Sequence, residues 1–244
     1  MKGVALVTGA SRGIGRAIAL QLAGDGYAVA VHCIKSADEA EAVCDQIRTN
    51  GGEATAFLCA VADTTAVHRL VQDIQTTMGP ITVLVNNAGI AQQKLFSDIT
   101  PEEWHRMMAV HVDGVYNTCH AVLPDMLRAH SGVIVNVSSM WGQTGGSCEV
   151  HYSTAKAAVI GFTKALAKEV GPSGIRVNCV APGVIMTDMM ADFDEETRTA
   201  LAEETPLCRL GTPEDVAQAV SFLVSDHAAF ITGQVLAPNG GLVI

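Results

Sequence analysis

The sequence predicts an α/β fold, a doubly wound parallel sheet of the Rossmann type, in a single domain spanning residues 1–244. Three features predict it. Short apolar runs alternate with helix-length amphipathic stretches from the first residues onward. The runs are nearly continuous in Val, Ile and Ala, as strands covered on both faces require. A glycine-rich turn joins the first run to the first helical stretch.

In chain order, the expected strands are Val4–Thr8, Ala28–His32, Ala54–Leu58, Val83–Asn86, Val133–Ser138, Ile175–Val180 and Gln234–Ala237. Each is short, β-branched or small in composition, and bounded by turn residues. Between them lie helical patterns at Gly13–Gly24, Ala37–Asn50, Ala66–Met78, Pro101–Arg128, Tyr152–Val170 and Pro213–Ser225. Ser, Thr, Asp or Pro stands near several of their starts, as helix N-termini favour. One stretch breaks the rhythm. Residues 183–212, bounded by Pro182-Gly183 and Gly211-Thr212-Pro213, are long and rich in Met, Asp and Glu. Such a segment is expected to cover a site.

Composition narrows the function classes. The chain is 49% hydrophobic and 16% charged, with a net charge of −10. An acidic surface disfavours nucleic acid and anionic membranes as partners. Seven cysteines, an odd number without a Cys-x-x-Cys pair, read as reduced thiols in a cytoplasmic protein. No apolar run approaches the roughly 18 residues of a membrane helix, and no metal site is expected.

Thr8-Gly9-Ala10-Ser11-Arg12-Gly13-Ile14-Gly15 follows the first strand and opens the first helix. Glycines let the backbone turn tightly against a pyrophosphate, which the helix N-terminus attracts. Gly9, Ser11, Arg12, Gly13, Ile14 and Gly15 are therefore candidate cofactor residues. The second strand runs into Cys33-Ile34-Lys35-Ser36 with no acid to accept a ribose 2′-hydroxyl. Arg12 and Lys35 offer two cations to a 2′-phosphate instead, so the expected cofactor is NADP(H).

Tyr152 and Lys156 stand at i and i+4 on one helical face. An ammonium close to a phenol favours the phenolate and brings Tyr152 toward the range of a general acid/base. Lys156 is also placed to donate to the cofactor ribose. Asn136-Val137-Ser138-Ser139 ends a very apolar strand upstream. Sites in open α/β sheets form beyond the carboxyl ends of strands. Ser139 is thus expected to hydrogen-bond a substrate carbonyl, with Ser138 pointing elsewhere.

Taken with Asn86-Asn87-Ala88-Gly89 and with Pro182-Gly183 followed by Thr187, these residues resemble the short-chain dehydrogenase/reductase family along essentially the whole chain. The resemblance implies that Asn87, Ala88 and Gly89 shape the cofactor pocket. It implies that Pro182, Gly183 and Thr187 hold the nicotinamide amide and that the loop after them covers the substrate. It further implies a homotetramer. Within the family, the stretches Ile160–Glu169 and Arg176–Gly183 are most similar to bacterial 3-oxoacyl-(acyl-carrier-protein) reductases. The implied activity is NADPH-dependent reduction of a ketone, foremost a 3-oxoacyl thioester on a carrier protein.

The chain departs from the family's pattern at three places. The asparagine that commonly holds a relay water aligns with His111, an imidazole that also suits a water and ordinarily titrates near neutrality. The aspartate that often meets adenine aligns with Ala60, with Asp63 further on. Of two basic positions near the entrance in the carrier-protein reductases, Arg128 keeps one and Ser173 lacks the other. The segment Met140–His151 looks like a subgroup that reduces an aminopentanone group on a lysine of elongation factor P, with Glu149 placed to meet an amine. The alternatives are therefore a different ketone, such as that aminoketone or a small hydroxyl compound, or a non-catalytic dinucleotide-binding scaffold.

Overall fold

The structure, a computed structural model, describes residues 2–187 and 194–244. Seven parallel strands form one sheet in the order β3-β2-β1-β4-β5-β6-β7. They are β1 Val4–Val7, β2 Ala28–Cys33, β3 Ala54–Leu58, β4 Ile81–Asn86, β5 Gly132–Val137, β6 Ile175–Val180 and β7 Val235–Leu236. Seven strands were expected, and all seven appear within two residues of the expected bounds.

The helices are α1 Gly13–Gly24, α2 Ala37–Thr49, α3 Thr64–Met78, α4 Pro101–Met108, α5 Gly114–Ala129, α6 Trp141–Thr144, α7 Val150–Val170, α8 Glu195–Glu204 and α9 Pro213–Val224. The continuous pattern expected over Pro101–Arg128 is interrupted by a π-helical turn at Ala109–Asp113. A π turn adds one residue to the helical circuit and so rotates α5 relative to α4. The segment 183–212 holds α8, capped by the Asp194 carboxylate, which accepts from the Thr197 N–H at 2.8 Å. Its described base is closed by pairing of Ile185 with Gly211.

Alternate strand residues feed two cores. Ala5, Val7, Val29, Val31, Val85 and Val135 pack with Ile18, Leu22, Ile47 and Val220 under α1, α2 and α9. Val4, Leu6, Ala30, Leu84, Ile134 and Val177 pack with Leu70, Ile74, Val122, Met126 and Val159 under α3, α5 and α7. Leu6, Ile18 and Ile134 are fully buried, and each such side chain contributes about 1.5–3 kcal/mol. The strand order reverses between β1 and β4, so a crevice opens at their carboxyl ends.

Candidate active site

The glycine loop leaves β1 at that crevice. Gly9 and Gly13 adopt left-handed backbone (φ 64° and 54°), which favours glycine. A Cβ on Gly15 would lie 2.1 Å from the Gly9 carbonyl oxygen and 2.4 Å from Asn87 Nδ2. Only hydrogen fits there, so glycine lets the start of α1 pack directly against the Gly9 carbonyl and Asn87. Among the described residues no side chain caps the first turn of α1, and its N–H groups suit an anion.

The Asn-Asn-Ala-Gly turn is bolted to this loop. Asn87 Nδ2 donates to the Thr8 and Gly9 carbonyls, each at 3.0 Å, and the Asn87 and Ala88 N–H groups donate to Thr8 Oγ1 at 3.0 Å. From below, His32 braces the same loop. It accepts the Gly9 N–H at Nδ1 (3.4 Å), so its other nitrogen donates to the Cys59 carbonyl at 3.1 Å. Burial lowers the His32 pKa to about 4, which keeps it neutral and able to accept. The sequence pattern did not single out His32 for this part, because its partners lie on other elements.

Arg12 and Lys35 are both exposed, and among the described residues neither stands in an ion pair. Thr187 comes up to the loop: a Cβ on Gly13 would sit 3.6 Å from its methyl. Pro182 accepts the Met140 N–H at 2.9 Å, tying the Pro-Gly segment to the end of β5. The glycine cradle, the uncapped helix and the unpaired cations fit an anionic dinucleotide. Asp63 does not face that pocket with a free carboxylate; it caps α3, accepting from the Ala66 N–H at 3.0 Å.

The candidate acid/base residues meet just beyond β5. Ser139 accepts the Trp141 N–H at 3.2 Å, which leaves its own O–H to donate. Ser138 turns the other way and donates to the Lys156 carbonyl at 2.8 Å, as alternation requires. Lys156 is buried, donates from Nζ to the Val137 carbonyl at 2.8 Å, and lies 5.6 Å from the centre of the Tyr152 ring. Burial lowers the ammonium to about 8. It also pushes the Tyr152 phenol up to about 12; the Glu149 carboxylate pushes the same way and a hydrogen bond from Ser139 opposes. In the chain alone, burial therefore dominates, and the phenol stays protonated.

His111 joins this group from the π turn. Its ring meets Tyr152 edge-on, with centroids 5.5 Å apart. Nε2 lies 2.8 Å from the Ile90 carbonyl oxygen and 3.1 Å from the Ile90 nitrogen, while Nδ1 is buried without a partner among the described residues. Burial, with the nearby Lys156 charge second, lowers its pKa to about 3. The expectation that His111 titrates near neutrality gives way to a neutral imidazole. His151, directly before Tyr152, is a further residue of this site that spacing did not reveal. It is fully buried, and its Nε2 lies 3.1 Å from Gln92 Oε1.

Arg128 is exposed and forms an ion pair with Asp125 one turn earlier. Ser173 lies in a one-turn 3₁₀ helix at Gly171–Ser173. All seven cysteines are free thiols. Among the described residues no helix is long and apolar enough to cross a membrane.

Residues 9–243 match the family described as enoyl-(acyl carrier protein) reductase. The chain is 43% identical over 238 residues to the 3-oxoacyl-[acyl-carrier-protein] reductase of Staphylococcus aureus, covering 98% of this chain and 97% of that protein. It is 44% identical over 242 residues to that of a Synechocystis strain, covering 99% and 97%. A crystal structure of the 3-oxoacyl-[acyl-carrier protein] reductase of Brucella melitensis superposes with a TM-score of 0.94 at 37% identity, covering 100% of this chain and 92% of that one. With near-complete coverage in each comparison, and with the glycine cradle, Ser139, Tyr152 and Lys156 assembled at one strand edge, the chain belongs to the short-chain dehydrogenase/reductase family of nicotinamide-dependent oxidoreductases.

Proposed function

We propose that this chain uses NADPH to reduce a ketone to a secondary alcohol, and that the ketone is a 3-oxoacyl thioester on an acyl carrier protein. One observation carries the reading: the Ser139 and Tyr152 hydroxyls meet at the end of β5, with Lys156 one helical turn behind. Two hydroxyls converging on one point suit an oxygen atom, which favours a carbonyl over a carbon–carbon double bond.

The cofactor, when bound, supplies a hydride to the carbonyl carbon. Ser139, fixed by the Trp141 N–H, donates its hydrogen bond to the carbonyl oxygen. Tyr152 gives its phenolic proton to that oxygen. Lys156 uses one of its three N–H groups on Val137 and keeps the others for the cofactor ribose and for returning a proton toward Tyr152. His111, neutral, accepts or donates hydrogen bonds there without changing charge. Gly9, Ser11, Gly13, Ile14 and Gly15 cradle the pyrophosphate, Arg12 and Lys35 take the 2′-phosphate, and Asn87, Ala88 and Gly89 wall the pocket. Pro182, Gly183 and Thr187 would hold the carboxamide, and the loop expected at residues 183–212, of which 188–193 lie outside the described residues, would cover the substrate. A scaffold without catalysis needs none of Ser139, Tyr152 and Lys156.

The same reading makes the protein cytoplasmic and a homotetramer. Tyr116 and Leu127 on α5, and Phe230, Leu236 and Ile244 near the C-terminus, expose large apolar side chains that subunit contact would cover.

A second ketone is favoured by a separate observation. The Glu149 carboxylate acts on Tyr152 electrostatically, and Arg128 is neutralised by Asp125. Glu149 beside Tyr152, with Arg128 paired, suits an aminoketone, such as the aminopentanone group on a lysine of elongation factor P, better than an acidic carrier. Oxidation of NADPH and of NADH with an acetoacetyl thioester, beside the modified elongation factor, tests both. Turnover of the thioester with NADPH preferred supports the first reading. Silence there with turnover of the elongation factor transfers the assignment to the second.

A further inference from the structure

The segment between β4 and α4, residues 90–94, has no regular structure, yet nearly every residue in it is fastened to the site. His111 Nε2 lies within reach of the Ile90 N–H and of its carbonyl, bonding one or the other as its tautomer dictates. Gln93 donates to Glu149 at 3.2 Å, and the Lys94 N–H donates to the Cys148 carbonyl at 2.7 Å. Gln92 and the Lys94 ammonium complete the fastening through Glu103 and His151.

Those four side chains form a chain whose proton positions are set by valence alone. The Lys94 ammonium only donates, and it holds both oxygens of Glu103 at 2.9 and 2.8 Å. The Glu103 carboxylate only accepts; it is kept ionised, its pKa drawn down to about 2, first by Lys94 and then by the Thr100 N–H and Gln92. Gln92 must therefore turn its NH2 toward Glu103, where the distance is 2.7 Å. Its carbonyl oxygen is then left facing His151 Nε2 at 3.1 Å. That nitrogen must carry the proton, and Nδ1 is left bare, buried and without a partner among the described residues. Reversing the Gln92 amide breaks its bonds to both Glu103 and His151.

We infer that His151 is a positioning residue for Tyr152, locked in its Nε2–H tautomer by the Lys94–Glu103 pair acting through Gln92. The lock pins the first turn of α7 to the 90–94 segment, which itself grips His111. Tyr152 is the residue next to that pin, so the ring of the acid/base and the ring of His111 are held to one common strut. The inference rests on the proposed role of Tyr152.

Histidine-selective ¹⁵N spectra of the whole protein test the lock directly. A bare Nδ1 and a protonated Nε2 are expected for His151, and Glu103→Gln, which frees Gln92 to reverse, should shift the signal toward the other tautomer. A His151 signal showing protonated Nδ1 in the unsubstituted protein overturns the inference without any variant. Kinetics supply the second arm. His151→Leu should lower kcat between about tenfold and a hundredfold, the scale of a small misplacement of reacting groups, and leave the KM for NADPH unchanged. His151→Gln keeps an N–H donor at similar reach and should restore most of the rate. A normal kcat in His151→Leu sinks the positioning role. Tyr152→Phe, assayed beside them, separates the two failures. If it is active, the reading of Tyr152 falls; if it is inactive while His151→Leu is normal, only this inference falls.

Discussion

Lys156 and Tyr152 face each other with the ammonium 5.6 Å from the ring centre, and the ammonium is anchored to the Val137 carbonyl at 2.8 Å. The lysine is thus part of the sheet edge rather than a mobile surface charge. Ser138 adds a second anchor by holding the Lys156 carbonyl. Both partners carry pKa values moved by burial in the direction of their neutral forms. At neutral pH the phenol is therefore neutral, while the ammonium, at about 8, is still largely charged.

Tyr152→Phe removes one hydroxyl from a half-buried ring and leaves its packing against His111. Loss of a general acid should lower kcat by about 100-fold or more. Cofactor affinity and thermal midpoint should remain near their original values. Steady-state rates, cofactor titration and a melting curve check this together, and near-normal turnover would remove Tyr152 from the mechanism.

Lys156→Met should destroy activity and yet stabilise the folded chain near neutral pH. The folded-state pKa of about 8 lies below the ordinary 10.5 of lysine. Between those values the unfolded chain binds a proton that the folded chain does not, so stability rises with pH across that window. The full effect of the shift is up to about 3 kcal/mol. Above pH 10 the raised Tyr152 works in the opposite sense, since the unfolded chain then releases a proton that the folded chain keeps. Urea unfolding at several pH values between neutrality and pH 10 should show the rise in the unsubstituted protein and a flatter profile in Lys156→Met.

The parts of this site that were legible in the sequence are those fixed by local geometry. Tyr152 and Lys156 share a helical face because of their spacing, and Ser139 lies at a strand's carboxyl end because the strand is apolar and its neighbour Ser138 must point away. Gly9, Gly13 and Gly15 announce a turn that only glycine makes. What stayed hidden depends on contacts between distant elements. The apolar rhythm of Pro101–Arg128 runs smoothly through Ala109–Asp113, so the extra residue of the π turn leaves no mark. His32 and His151 look like ordinary strand and helix residues until Gly9 and Gln92 arrive from elsewhere. Arg128 reads as a free cation until Asp125 is seen to hold it.

Arg12→Ala and Lys35→Ala test the choice of cofactor. Both side chains are exposed at the loop and at the end of β2. A charge-assisted bond to a phosphate contributes about 1.5–3 kcal/mol, so each substitution should raise the KM for NADPH roughly tenfold or more. The KM for NADH, which lacks the 2′-phosphate, should barely change. Equal effects on both cofactors would assign these cations to the pyrophosphate or to neither.

His111 is the last part to test, because its chemistry differs from what its residue type suggests. With a pKa of about 3 it is neutral throughout the working range of the enzyme, so the pH profile of kcat should show no limb that disappears when His111 is replaced. Its contribution should instead be hydrogen bonding and shape. His111→Asn keeps polar atoms in the turn and should retain more activity than His111→Leu, which keeps bulk alone. Gly89→Ala provides the complementary probe without altering His111. Its Cβ would lie 2.5 Å from His111 Cε1, and crowding of this kind costs about 1–3 kcal/mol. The ring must then move off Ile90 or off Tyr152, so kcat should fall along with stability. A profile in which His111→Asn abolishes an inflection near neutrality would show that the imidazole is charged in the working enzyme, contrary to its burial.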